Sequence, residues 1–500
     1  MAQRQQSFAW LALCALTGLA VLWLWRDGAQ ADGGLHYVLA RWAWQHPALF
    51  VDVWARPLFT FLYAFPALIG YQTSRALTII VCVITAHQTW RLADEHGLAR
   101  APLVIPFLFL QPSLTLFIAD TMTEPLYALV FVIALRLHLK GRFTAAALTA
   151  SLLILIRPEG FFTIGLWALW LLHDKNRISN LKFRIPLLAT GMFAWWLTSW
   201  LITGDVLFIK HNWPANWPFS GTIYGAPGFL NYPTRLPEII GPLFLVPFVY
   251  GLWRYLNGYS NLSRLLRSLS TNAMREPQQP GKVAVLCGDA WLSLFLIHTV
   301  MRAFGLMGSA GYPRYLLTLA PAAALITLAG WNALADKFAY LSLPLRRAII
   351  ITVIALSFCL NALYVDGAEW MRDATLVDRV VAQWPRQQRL ITRFIWSQPY
   401  MCMRFDADPW QNEFFTTDKV RNAQLMRAMP AGTLVFWDRL TGPKWTDVKI
   451  EDFQANGFEL LYEESAVLKG YVIPRSFFGV GGPRHQRLAL LYKPVSEARK

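Results

Sequence analysis

The chain has 500 residues, of which 55% are apolar (AVILMFWYC) and only 15% charged, with 23 tryptophans and a net charge of +16. A soluble chain is normally about one quarter charged, so a string of soluble domains is excluded and a membrane protein is expected. Lys and Arg fall in short segments between apolar runs, with no basic helix or aromatic-plus-basic module, so nucleic acid is not an expected partner.

Sixteen of the 30 acidic residues lie beyond Tyr364, which makes 1–364 the membrane part and 365–500 a soluble domain. Cys14, Cys82, Cys287 and Cys359 sit in apolar runs and Cys402 stands alone, so neither a disulfide framework nor a zinc site is expected.

The first apolar run, 8–25, is uncharged and long enough to span the hydrocarbon. A signal peptide ending at Ala29-Gln30-Ala31 is the competing reading, disfavoured by the many spans that follow. Those are expected at 73–90, 101–119, 125–139, 143–156, 161–172, 185–202, 239–253, 283–304, 315–332 and 348–364. The segment 58–70 is apolar but broken by Pro66 and reads as an interfacial or re-entrant helix. About 11 transmembrane helices with a cytoplasmic N-terminus place the Lys/Arg-rich segments inside. The opposite, extracytoplasmic side of an inner (plasma) membrane then receives 26–57, 120–124, 157–160, 203–238, 305–314 and the tail. In the tail a helix is expected over 369–395 and strands over 433–437 and 488–492, a small α/β domain.

Acids near a bilayer are costly unless hydrated or paired, which makes the outer-side acids Asp27, Asp32, Asp52, Asp120, Glu124, Glu159, Asp205 and Glu238 candidates. In the first outer loop, 26–72, a helix starting near Asp32 puts His36 one turn on, on the same face. Asp32 reads equally as the cap of that helix, and Asp27 as an interfacial anchor beside Arg26. Arg314, at the outer surface, has the planar fork that suits a phosphate, with headgroup anchoring as the plainer use. The loop His211-Asn212-Trp213-Pro214 could stack on sugars or simply form an interfacial tryptophan belt. Asp289, inside an apolar run, is expected to be paired internally.

The ordered set of these segments resembles the GT-C superfamily of membrane glycosyltransferases. The features are a first-loop Asp, Thr123-Glu124-Pro125-Leu126-Tyr127, Arg157-Pro158-Glu159-Gly160, Thr203-Gly204-Asp205 and Pro313-Arg314-Tyr315, spread over most of 10–365. The resemblance implies a GT-C-like helical domain and an inverting, mannosyltransferase-like hexosyl or pentosyl transfer. The donor would be a polyprenyl-phosphate sugar and the acceptor a glycan, lipid or protein of the cell envelope. It implies Asp32 or Asp27 as catalytic base, and His36, Glu124, Arg157, Glu159, His211, Trp213, Arg314 and Tyr315 as substrate-binding residues. Many relatives have a second acid beside the loop Asp where this chain has Gly33. That weakens a metal-dependent reading: no metal ligand is assigned, and a divalent metal is left open as cofactor. The competing readings are a transporter or lipid-linked-sugar flippase, and a non-catalytic scaffold. Polar groups gathered on one face favour the enzyme, since a transporter would pair charges across mid-membrane helices.

Overall fold

A computed structural model describes residues 2–26, 31–173, 181–213, 228–259, 279–366, 382, 393–396, 403, 408–410, 423–439, 448–468 and 484–495. Among these, six helical segments are long and apolar enough to cross a bilayer: Gln3–Leu24, Tyr71–Glu95, Leu181–Thr203, Lys282–Ala303, Pro313–Lys337 and Leu343–Tyr364. Only a helix satisfies its own backbone in hydrocarbon, which is why uncharged runs of this length take that form. Leu16, Leu19 and Trp23 on the first, and Ile351, Leu356 and Leu363 on the last, stay exposed, as for helices solvated by lipid. The chain is a multi-pass, mostly helical membrane protein.

The first four helices are α1 (Ala2–Leu24), α2 (Ala31–Trp42), α3 (Pro57–Ile69) and α4 (Tyr71–Glu95). The expected interfacial segment is α3. Its Phe59, Tyr63, Ala64 and Ala67 are buried, whereas Phe61, Phe65 and Ile69 are exposed, so it carries an apolar face on each side.

Several expected spans are built in pieces. The run 101–119 divides into a 3-10 turn Ala101–Leu103 and helices Val104–Phe109 and Pro112–Phe117. Pro102, Pro106 and Pro112 remove donors there, and side chains bond to carbonyls in and beside the broken run. Asn361 donates to the Leu110 carbonyl at 2.7 Å, and Gln111 donates to those of Phe107 and Ala320 at 3.2 and 3.0 Å. Irregular backbone is tolerated at this depth because protein surrounds it. Likewise 143–156 is helix Phe143–Ser151 followed by a 3-10 turn Leu152–Leu155. A Cβ at Gly191 would run into the Ser151 carbonyl, so a neighbouring helix closes directly on that break. Gly251 and Gly330 play the same part between Leu245–Tyr259 and Ala320–Lys337, where an added Cβ would strike the Ile326 and Pro247 carbonyls.

The tail forms a four-stranded sheet of β1 (Arg393–Trp396), β2 (Thr433–Asp438), β3 (Glu459–Leu468) and β4 (Arg484–Tyr492), in the order β1-β2-β4-β3 with β1 parallel to β2. Alternation sorts its two faces. Leu434, Phe436, Leu488 and Leu490 join the main core, whereas Val435, Trp437, Ala489 and Leu491 pack with Ile395, Met426, Ile450 and Phe453. Both strands expected from sequence are present. The expected helix 369–395 lies, but for 382, outside the described residues up to 392. Its last residues are instead strand: Phe394-Ile395-Trp396 is aromatic and β-branched, and Ile395 is fully buried opposite Val435.

Candidate functional site

Helix α2 opens at Ala31, which puts Asp32 inside the first turn rather than at the cap. A carboxylate there suits the positive end of the helix. Gly33 is required by packing: a Cβ at this position would run into Oδ1 of Asp120. Thr121 Oγ1 donates to the Gly33 carbonyl at 2.6 Å, so the first turn of α2 lies flat on the segment 120–122. No acid fits at position 33, because the buried Asp120 carboxylate already fills that space. Asp120 accepts from the Thr121 amide at 2.7 Å and from the Tyr71 hydroxyl at 3.3 Å. Arg75, fully buried, ties this floor to the end of α1 by donating to the carbonyls of Ala119 at 2.6 Å and Trp25 at 2.7 Å.

One oxygen of Asp32 meets Nη2 of Arg314 in a direct ion pair. Arg314 begins the turn Pro313–Leu319, and its side chain is 6% exposed against 46% for Asp32. The carboxylate is therefore the accessible partner and the guanidinium the anchored one. The guanidinium lies over Tyr312 at 4.5 Å and Tyr315 at 5.7 Å, and its Nε is 3.4 Å from Oε1 of Glu124.

Glu124, in the first turn of helix Thr123–Leu139, shares that oxygen with Arg157 Nη1 at 2.9 Å. Arg157 also grips Glu159 with both arms, Nη2 to Oε1 at 2.8 Å and Nε to Oε2 at 3.2 Å, and donates to Thr123 Oγ1 at 3.0 Å. Burial alone would raise the Glu159 carboxyl, but Arg157, with His298 behind it, outweighs burial and holds it at about 2. His298 stacks on Tyr315 at 5.5 Å with Nε2 3.8 Å from Glu159, and neither ring nitrogen has a hydrogen-bond partner. The result is a chain of alternating charge, Asp32–Arg314–Glu124–Arg157–Glu159, buried except at Asp32.

His36 faces this chain from α2. Burial, then the fields of Arg56, Arg157 and Arg314, push its imidazole well below the ordinary value, so it is neutral at physiological pH, and its Nδ1 has no partner. Arg56 has a left-handed backbone, φ 62°, which for a non-glycine residue costs about 1–3 kcal/mol and must be enforced by its surroundings. Burial, then Arg157, lowers its guanidinium to about 10.

The structure thus brings together Asp32, His36, Glu124, Arg157, Glu159, Arg314 and Tyr315. His211 stands apart: exposed, it pairs with Asp205 at 2.7 Å. Trp213 meets Phe161 edge-on at 6.3 Å and packs with Val51, Val53, Ile154 and Trp195. Asp27 lies outside the described residues. Asp289 is held by the Tyr255 hydroxyl at 2.5 Å and the Trp170 indole at 3.2 Å, the internal pairing expected of it. Arg56 carried too little local signal to be assigned from sequence, its one cue being its proline neighbour, and Asp120 stood among the outer-side acids with no role of its own. Among the described residues no three His, Cys, Asp or Glu side chains gather as a metal requires, and Asp32, Glu124 and Glu159 are matched by arginines, so a resident divalent metal does not fit here.

Broken and continuous membrane helices, a first loop bearing an accessible Asp and a small sheet beside them make up a fold that the chain shares with solved structures. Among solved structures the chain is similar to ArnT from Cupriavidus metallidurans bound to undecaprenyl phosphate, at a TM-score of 0.55 and 12% identity over 98% of each chain. It is also similar to the apo state of the same protein, at a TM-score of 0.52 and 13% identity, covering 96% of this chain and 98% of that one. No protein-family model matches the chain, and neither does any curated protein sequence.

Proposed function

We propose that this protein is an inverting glycosyltransferase that moves a hexosyl or pentosyl unit from a polyprenyl-phosphate donor to an acceptor hydroxyl. The observation that carries this reading is the accessible Asp32 carboxylate in contact with a buried, arginine-rich cluster. That cluster contains buried nitrogens with no hydrogen-bond partner: Nδ1 of His36, a donor in the tautomer that carries its proton there, and Nε of Arg56. A buried donor left unsatisfied costs about 1–3 kcal/mol, and a phosphate supplies the missing acceptors. The undecaprenyl phosphate bound in the similar ArnT structure supports this donor class.

In the reaction, Asp32 takes the proton of the acceptor hydroxyl while the hydroxyl oxygen forms its bond to the anomeric carbon. The bond from that carbon to the phosphate oxygen breaks, and its electron pair leaves with the lipid phosphate. That anion is already stable, so it needs charge stabilisation and no general acid, unlike the leaving alkoxide of glycoside hydrolysis. Arg314 and Arg56 provide the positive charge where it develops, and the neutral His36 adds a hydrogen bond. Glu124, Arg157, Glu159 and Tyr315 hold Arg314 in place.

The Lys/Arg bias puts the site and the tail on the outer face of the inner membrane. A reporter fused after Lys500 should be active only outside the cytoplasm; activity confined to the cytoplasm would reverse the topology. The donor assignment is tested at Arg314. Arg314→Lys keeps the charge but not the fork, so donor affinity should fall in part, and with Arg314→Ala much further. Parent-like donor binding by both variants would reduce Arg314 to a structural residue.

A further inference from the structure

We propose that Asp408 and Trp410, from the tail, are positioning residues for the base: they clasp the loop that begins with Asp32 and hold it in register with the arginine cluster. The inference rests on the reading of Asp32 given above.

Between α2 and α3 the chain runs from Ala43 to Arg56 with one short 3-10 turn, Pro47–Phe50, and no other regular structure. Local bonds do part of the holding. Asp52 Oδ1 accepts from the amides of Trp54 and Ala55 at 2.7 and 3.0 Å, and Arg56 Nη1 donates to the Val53 carbonyl at 2.7 Å. They do not tie this segment to α2. That is done by an apolar cluster in which Leu39 of α2 and Ala43 just after it meet Leu49 and Ala55, with Leu35, Trp42, Phe50 and Trp410 packed around them. Trp410 is the one member of that cluster from outside the loop. It packs against the cluster that contains Leu39, two turns beyond Asp32.

The second half of the clasp is polar. His46 Nε2 lies 2.8 Å from Asp408 Oδ2, and the other oxygen of Asp408 accepts from the Trp410 amide at 2.9 Å. The Trp410 ring tilts against His46 at 5.8 Å. The Asp408 side chain is only 4% exposed against 28% for His46. A carboxylate is not desolvated to that degree by a casual surface contact, since it would lose its hydration without a fixed partner. Arg314, Glu124 and Arg157 are fixed by one another and by their own helices, whereas Asp32, His36 and Arg56 all lie on the clasped loop. Loosening the clasp should misplace Asp32, with His36 and Arg56, and leave Arg314 standing. Misplacing a reacting group by about 1 Å is enough for a loss of about 100-fold in rate.

The test uses the full-length protein, a polyprenyl-phosphate sugar as donor, and the variants Trp410→Ala, Trp410→Phe, His46→Ala and His46→Gln. Glutamine carries an amide nitrogen near the position of Nε2, so it can keep the bond to Asp408. Trp410→Ala and His46→Ala should lower kcat by about 10- to 100-fold, with a smaller rise in donor KM, because Arg314 stays in place, and with hydrogen exchange faster across 31–56. Trp410→Phe and His46→Gln should recover most of the rate. Faster exchange with parent kcat, or no change in either, overturns the proposal, as does equal loss in the alanine and conservative variants. If Asp32→Asn is itself active, the reading of the base fails. A kcat loss on opening the clasp would then have no base to act through, which separates the two failures.

Discussion

Asp32→Asn should fold and bind donor, yet turn over a polyprenyl-phosphate sugar about 100 to 10,000 times more slowly than the parent. Asparagine is nearly isosteric and can still accept from Arg314, and the position is half exposed, so the structural cost of losing the charge is small, about 1 kcal/mol or less. What disappears is the capacity to hold a proton. Two other carboxylates compete for the role, and each has a separate signature. Asp27 follows Arg26, whose carbonyl already accepts from Arg75 at 3.0 Å at the end of α1, and Asp27→Asn should retain most activity. Asp120 is buried against Gly33 and bonded to the Thr121 amide, so Asp120→Asn should lower the thermal midpoint before it alters kcat specifically. An active Asp32→Asn beside an inactive but stable Asp120→Asn would move the base to Asp120.

Composition made the helical membrane character legible, because a bilayer leaves few other solutions for long uncharged runs. It did not reveal where the runs break. Pro102, Pro106 and Pro112 are visible in the sequence, but the side chain that bonds to the Leu110 carbonyl at the break, Asn361, is 251 positions away. The strands at 433–437 and 488–492 announced themselves as short apolar runs, the first introduced by Pro430-Ala431-Gly432. The stretch before β1 read as helix because only its last residues, Phe394-Ile395-Trp396, carry a strand signal, and their partner is β2.

The candidate site divides in the same way. Asp32 and His36 share a helix face, a local fact that spacing alone predicts. Arg314, Glu124 and Arg157 each looked functional for want of a reason to have charge near a bilayer, and they prove to be one another's reason. Gly33 is the sharpest instance. In sequence it was a missing acid; in the fold it is the gap into which Asp120, 87 positions later, inserts its carboxylate. Nothing local to either residue encodes that contact.

The same interdependence sets the largest expected loss of stability. Arg157→Met keeps the length of the side chain but leaves Glu124 and Glu159, both buried, without the cation they share. Breaking a buried pair from one side typically costs about 3–5 kcal/mol, because the orphaned charge remains desolvated. The parent and the variant should also differ in how stability responds to acid. In the parent, Glu159 titrates at about 2, below its unfolded value near 4.5, so its contribution is fully present above pH 4.5 and is lost as pH falls towards 2. In Arg157→Met, burial is no longer outweighed, and the folded-state value rises above the unfolded one. The folded form then binds more protons than the unfolded form, and stability falls as pH rises through that higher value. Glu159 therefore adds no slope to the parent between pH 8 and 5, where the neutral His36 makes the thermal midpoint in detergent fall on acidification, and over the same range Arg157→Met should climb relative to the parent. A variant with an unchanged midpoint and the parent's pH profile would mean that water, rather than Arg157, neutralises Glu159.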